Sequence, residues 1–598
     1  MSRAGAAERL RAFGRAALLV LAALLPFEKL EPLARIGPLQ LSSVELFLYL
    51  ALAAWGLALI AGWWAGERAL LEQIERAPFA HRAVAAFGLV LLLSAALAPA
   101  ARGTALKFAL RSLGGMLLYA AAADLLRAPG ATVRVAKALV GGALAAALLA
   151  VAEGRSAQVG ALLHSFHLKT FEAFGRPRAS GPFQYPNIAA MYLEAVAPIA
   201  AALGAAAFAA RPSRLRLGGA MLVLFLLLDA VLATASRAGL VGGFAAVAAL
   251  AVFYGRRRET RALAPALLAT MLALAALASG SALGARFRFW RDSDWYRAVV
   301  TPSGGRQGRL PSVLAPGSRG TEILEVENQG ALPWLRLPPS PVVLSYHWLS
   351  AETGAVLVRD GLRTVLPRDL YTGGSVEVRA QVRAPSQPGR YILWWDLVQE
   401  NTTWFSERGN PGLREPIVVA GGVDAGVHGG PVVDERAVAV AAGAPPAPAP
   451  WPVIVRPGTA DESSRRTLWR GAVAAWRAHP LLGIGPDNFR HLSGQFLGRD
   501  RTDERMHANS LYFETLADLG IVGLLALLAL VAALFGAARR AAAAPASRIL
   551  ALGVAAGLAT YLLHGLLDYF LEFTPTYALF WLLAGMMVAM DRSPETAA

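Results

Sequence analysis

Apolar stretches of about 17 to 25 residues recur along this chain, each long enough as a helix to cross ~30 Å of hydrocarbon with its backbone hydrogen-bonded internally. About 12 can be counted, beginning near Ala16, Val44, Ala83, Thr104, Ala136, Ile188, Leu217, Ala238 and Ala262, and after a long interruption near Leu519, Ile549 and Tyr577. The first, AALLVLAALLPF, is short and also fits the apolar region of a signal peptide; with no small-x-small cleavage site after it, it reads as a span. Such a chain is neither disordered nor fibrous, and its composition agrees: 56% of its 598 residues are apolar and 16% charged. With no cysteine, it has no disulfide, thiolate or Cys-ligated metal chemistry.

Lys and Arg total 57 against 41 Asp and Glu, a formal charge of +16. The surplus gathers in short connections: Arg3, Arg9, Arg11 and Arg15; Arg211, Arg214 and Arg216; Arg256, Arg257, Arg258 and Arg261; Arg539 and Arg540. With the amino terminus in the cytoplasm, all of these fall inside, as the positive-inside rule requires. Orientation therefore accounts for the basic excess, and nucleic acid is not expected as a partner.

The same orientation turns three parts outward: the connection from about Arg155 to Asn187, the turn at Ser236 and Arg237, and everything from Arg286 to about Asp518. Within the last, TEILEVEN, VVLSYHW, SVEVRAQV, RYILWWDLVQ and PIVVA alternate apolar and polar residues between Gly, Pro and Asn turns, which predicts an antiparallel β-sandwich. The expected organisation is a membrane domain of about nine helices over 1–285, a connector over 286–317, an extracytoplasmic sandwich over 318–420, a Gly/Ala/Pro linker over 421–460, an extracytoplasmic loop segment carrying catalytic residues over 461–518, and a membrane domain holding the last three helices over 519–598. The fold class is thus all-α polytopic with an inserted β-sandwich. Trp334, Tyr346, Trp348, Trp394, Trp395, Trp404 and Phe405 fit two roles, a sugar-stacking platform or the sandwich core and its rim.

Polar and Gly/Pro-rich motifs concentrate in the outward segments: FGRPRASGPFQYPNIAAMYLEAVAP, with Arg176, Arg178 and Asn187; ATASRAGLVGG, with Ser236 and Arg237; and PLLGIGPDNFRHL followed by RMHANSLYFETLADLGIVG, with His507 and Asn509. Lys107 and Arg111 lie four residues apart on one face of the fourth span. Charges at that depth cost ~2.5 to 3.5 kcal/mol each and mark either a polar cavity or side chains snorkelling to the interface. His564 and Asp568 repeat the spacing at the outer end of the eleventh span, as an orienting His–carboxylate pair and alternative base, or as a structural link between helices. Glu194 and Asp229 are further intramembrane carboxylates without an assigned role. The chain holds no P-loop, no dinucleotide-binding Gly cluster, no HExxH and no Gly-x-Ser-x-Gly.

In their order, RASGPFQYPN, SRAGL, HPLLGIGPDNF and HANSLYFETLADLGIVG, with a large outward loop before the last two, resemble the O-antigen ligase family (the Wzy_C superfamily). The similarity runs over about Lys169 to Tyr577, the sandwich excepted. It implies a GT-C-like helical architecture, a place in the bacterial inner membrane, and transfer of a glycan from a polyprenyl diphosphate carrier without metal or other cofactor. The acceptor it implies is lipid A-core, a growing glycan or a protein, the last two corresponding to Wzy-type polymerases and protein O-oligosaccharyltransferases. The family's catalytic His is expected at the position of Asn509; the nearest His here is His507, two residues earlier. A lipid-linked glycan transporter is the alternative from a different class.

The chemistry assigns roles. A leaving diphosphate gains charge as the glycosidic bond breaks, and guanidinium suits it by its planar fork and persistent charge. Arg178 and Arg237 are expected to hold it, with Lys107, Arg111, Arg176, Asn187 and Asn509 binding substrate. His507 is expected as the base that activates the acceptor hydroxyl.

Overall fold

The computed structural model describes residues 3–36, 39–68, 74–75, 77–167, 171–173, 176–279, 292–336, 341–400, 403–420, 465–498 and 506–591. The expected linker over 421–460 and part of the connector lie outside them. The chain divides into two compact units: Gly284–Ala460 with Glu172–Arg176 is rich in sheet, and the remainder is helical.

The helical unit contains α1 (Arg3–Leu24), α2 (Ser43–Trp64), α3 (Pro78–Ala96), α4 (Arg102–Leu125), α5 (Ala131–Glu153), α6 (Pro186–Ala210), α7 (Arg214–Ala233), α8 (Arg237–Gly255), α9 (Leu263–Ser279), α10 (Arg465–Ala478), α11 (Phe489–Leu497), α12 (Leu511–Ala543), α13 (Pro545–His564) and α14 (Thr574–Met590). Among the described residues nine helices, α2 to α8, α12 and α13, are long and apolar enough to cross a membrane. Of the other expected spans, α1 carries Glu8, Arg9, Arg11 and Arg15 in its first turns, and α9 and α14 each stop at 17 residues.

Local chemistry sets the helix starts. Ser42 and Glu45 form a capping box on α2, Ser236 accepts from the Gly239 N–H at the start of α8, and Pro186 and Pro545 open α6 and α13 where no N–H is needed. All 17 residues of α14 are buried, as are most of α6, so these two apolar-all-round helices form the centre of the unit. Against α6 lies α13, which brings Gly557 so near that a Cβ there would sit 2.2 Å from the Ala195 carbonyl oxygen. Small residues allow this approach in a setting where packing, not water exclusion, drives helix association.

α12 is broken at Gly520, whose φ of 66° and ψ of −166° are not helical. The break admits the Leu481–Gly483 turn: a Cβ on Gly520 would lie 2.3 Å from the Leu481 carbonyl oxygen. The expected tenth span, starting near Leu519, coincides with the part beyond the break. The turn of helix before it, Leu511–Leu519, is a separate platform.

In the other unit, Val342–Ser350 and Gly389–Gln399 pair antiparallel at the middle of a seven-stranded sheet, with Leu413–Val419 on the far side of the latter. Val313–Leu314 closes that edge in parallel, a departure from the expected all-antiparallel pattern. A three-stranded sheet pairs Arg319–Asn328 with Ser375–Arg383 and with Ala298–Pro302, a strand that precedes the expected start at Ser318. Burial alternates along Ser375–Arg383, as a strand with one covered face requires. Trp334, Trp348, Trp395 and Phe405 are fully buried and Tyr346 nearly so. Trp394 and Trp404 instead flank His347, and guanidiniums lie over both indoles, Arg414 at 4.4 Å and Arg363 at 4.9 Å. Between the sheets, the Trp395 indole N–H is shared by the carboxylates of Glu322 and Glu415, at 3.1 and 3.2 Å.

Candidate functional site

The segment His507–Ser510 leads into the α12 platform and is docked on the turn after α13. The Leu511 N–H donates to the carbonyls of Gly565 and Asp568, at 2.7 and 3.1 Å. Asn509 takes a positive φ of 49°, a conformation Asn tolerates better than most residues. This sharp bend turns His507 back over α12. Its Nδ1 donates to Glu514 Oε1 at 2.7 Å, while Glu514 Oε2 accepts the Ala508 N–H. On the other side, Nε2 lies 2.8 Å from Glu572 Oε2, an ion-pair distance without the alignment of a hydrogen bond. The Tyr569 ring covers the imidazole with centroids 5.1 Å apart.

Burial alone would lower the His507 pKa, but the charge and hydrogen bond of Glu514 and the nearby charge of Glu572 outweigh it and raise it well above the ordinary value. The two partners differ. Glu514 is shut in, its side chain 1% exposed, whereas that of Glu572 is 28% exposed. Burial acts to raise the Glu572 pKa, but His507, Arg490 and Arg111 together bring it below the usual carboxylate value.

Arg490 belongs to the GIGPDNFRHL segment. Its Nη2 donates to Asp487 at 2.7 Å and its Nη1 lies 3.5 Å from Glu572 Oε1. Asp518 holds this turn by accepting the N–H groups of Asp487 and Phe489, at 2.7 and 2.9 Å, and Ser94 of α3 donates to the Asp518 carbonyl at 3.0 Å. The buried carboxylate of Asp518 is thus spent on backbone amides, which fixes where Arg490 stands.

Beside this cluster lies a pocket of about 150 Å³ lined by Phe171, Arg178, Tyr185, Pro186, Asn187, Arg465, Asn509 and Asp568. Arg178 donates from Nη2 to Asn187 Oδ1 at 2.8 Å and from Nε to the Thr234 carbonyl at 2.7 Å. Asn187 in turn donates from Nδ2 to Asp568 Oδ2 at 2.8 Å. The loop carrying Arg178 is clamped from below, because Glu153 accepts the N–H groups of Ser180 and Gly181, at 2.8 and 2.6 Å. Burial pushes the Asp568 carboxyl up, against Arg465, Asn187 and the charge of His507. The pocket adjoins the imidazole cluster, since Asn509 follows His507 by two residues and Tyr569, next to Asp568, covers the ring.

Of the residues singled out from sequence, Arg178, Asn187, Asn509 and Asp568 meet in this pocket, and His507 stands beside it. Arg237 opens α8, in the turn whose Thr234 carbonyl Arg178 grips, but is not among the lining residues. Arg111 reaches Thr574 at 3.2 Å, lies over the Tyr577 ring at 5.2 Å and acts electrostatically on Glu572. Lys107, four residues away, is exposed on α4, so that pair does not converge. The Arg176 side chain lies outside the described structure. The expected pairing of His564 with Asp568 is corrected: His564 Nδ1 donates to Glu194 across the helices at 2.7 Å, and Asp568 takes Asn187. The helix ends at His564, and each of the two side chains is taken up by a residue of α6, Glu194 for the imidazole and Asn187 for the carboxylate. Asp229, also unassigned, lies 3.5 Å from Arg155.

Glu514, Glu572, Arg490 and Arg465 escaped the sequence reading. Glu514 and Arg490 lie inside motifs quoted for other residues, in LYFETLADLG and DNFRHL, and Glu572 follows Asp568 by four residues in LLDYFLEFTP. The signal that could have found them is a charge placed at the polar end of an apolar run.

Residues 453–528 match the family model for O-antigen ligase, Wzy_C. The matched stretch contains α10, α11, Arg490, His507, Asn509, Glu514 and Asp518. No curated protein matches the chain. The match and the nine apolar helices support a multi-pass membrane enzyme of the ligase or polymerase type.

Proposed function

We propose that the protein is a membrane glycosyltransferase that moves a preassembled glycan from a polyprenyl diphosphate carrier to an acceptor at the outer face of the bacterial inner membrane. The observation that carries this reading is the meeting of Arg178, Asn187, Asn509 and Asp568 around one pocket adjoining His507, from three separate stretches of chain.

Arg178 and Arg465 give the pocket its positive charge, and Asn187 and Asn509 supply uncharged hydrogen-bonding groups suited to a glycosyl phosphate. The donor's diphosphate sits against Arg178, whose charge counters the negative charge that grows as the anomeric C–O bond lengthens. Arg237 supports the same group from the neighbouring turn. The acceptor hydroxyl enters from the side of His507 and attacks the anomeric carbon directly, giving inversion. The cluster of His507, Glu514 and Glu572 receives its proton.

The test is reconstitution of the purified chain with lipid-linked glycan and candidate acceptors. Transfer is expected, and Arg178→Ala should reduce it by about 100-fold, the scale of losing one charge-stabilising donor. Labelled donor that crosses the vesicle bilayer without ever losing its glycan would establish transport and defeat this reading.

A further inference from the structure

Both nitrogens of His507 are engaged by carboxylates, and only a neutral imidazole has a lone pair to offer as base. The carboxylates are not equivalent. Glu514 is enclosed and also accepts the Ala508 N–H, so it is committed to holding the ring. Glu572 keeps an exposed edge and meets the imidazole without hydrogen-bond alignment. Arg490, anchored by Asp487, faces its other oxygen, and Arg111 adds a third cation nearby. A carboxylate steadied by cations and open on one side is the arrangement that serves as general base in inverting glycosyl chemistry, where the transition state resembles an oxocarbenium ion and a weak base suffices.

We propose that Glu572 is the catalytic group that takes the acceptor's proton, and that His507, held as imidazolium by Glu514, is the positioning residue behind it. This rests on the transferase reading above. In the step, an acceptor oxygen lone pair forms the new bond to the anomeric carbon while its O–H proton passes to the Glu572 carboxylate. The anomeric C–O bond to phosphate breaks, its electron pair leaving with the diphosphate held at Arg178. Protonated Glu572 then returns its proton to water through the exposed edge.

The pH dependence separates this from a mechanism with His507 as base. The groups facing the pair are Glu514 from α12, Asp568, Tyr569 and Glu572 from the turn after α13, Arg490 from α11, Arg111 from α4 and Tyr185 ahead of α6. If Glu572 is the base, transfer is full at neutral pH and declines in alkali as the imidazolium is lost. If His507 is the base, transfer rises with pH through its titration.

The experiment uses the full chain in lipid with a lipid-linked glycan donor, reading donor binding by thermal protection and transfer by product. Glu572→Gln should bind donor as the parent does and lose at least about 100-fold in transfer, the lower end of what a general base contributes. Glu572→Asp should recover part of it, and formate should partly rescue Glu572→Ala, neither of which a merely structural carboxylate would allow. Transfer by Glu572→Gln within threefold of the parent, or a parent rate that climbs with pH through the imidazole range, overturns the assignment. Failure of the parent itself to transfer any glycan despite binding donor would instead remove the transferase reading, and this inference with it.

Discussion

Asn187 and Asp568 stand 381 positions apart in the chain and share a 2.8 Å hydrogen bond that links the start of α6 to the turn after α13. Asn187 accepts from Arg178 with its other amide atom, so one small side chain fixes both a cation and a buried carboxylate. Replacing it by Leu removes both contacts and leaves Asp568 buried without that partner. The expected cost is ~1 to 3 kcal/mol in stability, the penalty for an unsatisfied buried polar group. Thermal unfolding in detergent would measure it, and donor binding should weaken alongside.

Arg490 acts through its fork, one nitrogen on Asp487 and another toward Glu572. A lysine keeps the charge but not the two-pronged geometry. Arg490→Lys should therefore lower kcat by about tenfold with KM nearly unchanged, on the scale of 1.4 kcal/mol in the transition state. Steady-state transfer assays over a range of donor concentration decide the split.

Arg111 and Lys107 occupy the same helix yet stand in different surroundings. Arg111→Ala should depress transfer through loss of its contacts to Thr574 and Tyr577 and of its field at Glu572. Lys107→Ala should leave the rate within about twofold, since exposed positions away from a site rarely shift energies by more than ~0.5 kcal/mol. Equal losses in both variants would show that the pair acts together after all.

The sheet-rich unit has its own titration. Burial, reinforced by the neighbouring Glu415, pushes the Glu322 carboxyl up to about 7. Its folded pKa lies above the unfolded one, so the associated stability is complete below the ordinary carboxylate range and is lost as pH rises through about 7. Hydrogen exchange over Arg319–Asn328 in the intact chain should accelerate between pH 5 and pH 8 beyond the intrinsic chemical rate. Glu322→Gln should flatten that response.

Gly557 tests the helix packing. Even a methyl group there would collide with the Ala195 carbonyl, so Gly557→Ala should cost ~1 to 3 kcal/mol by forcing α13 away from α6. A lower unfolding temperature in detergent, with the midpoint restored by no acceptor or donor, is the expected result.

The membrane architecture was legible because apolar runs of span length have few other uses, and the expected span starts fall within a helix or, at Ala262, one residue ahead of one. What the pattern did not separate was length from depth: α14 has 17 residues and is wholly buried, so hydropathy alone says little about whether it crosses. The pocket was legible in Arg178, Asn187 and Asn509 because polar residues in a Gly/Pro-rich motif flanking an apolar helix have a reason to be there. Periodicity misled at His564 and Asp568, since four-residue spacing places side chains together only where the helix continues, and here it ends at His564. Glu514 and Glu572 were hidden because a carboxylate's partner across the fold leaves no trace in its own neighbourhood of sequence.

The interruption between α9 and α10 has a consequence for biosynthesis. When the ribosome has delivered the helices through Ser279, Arg178 and Asn187 have already been made, but Asp568, His507 and both of its glutamates are still untranslated. The pocket therefore stays incomplete throughout synthesis of the sheet-rich insertion, and its residues are all present only once the chain has been made through Asp568, beyond α13.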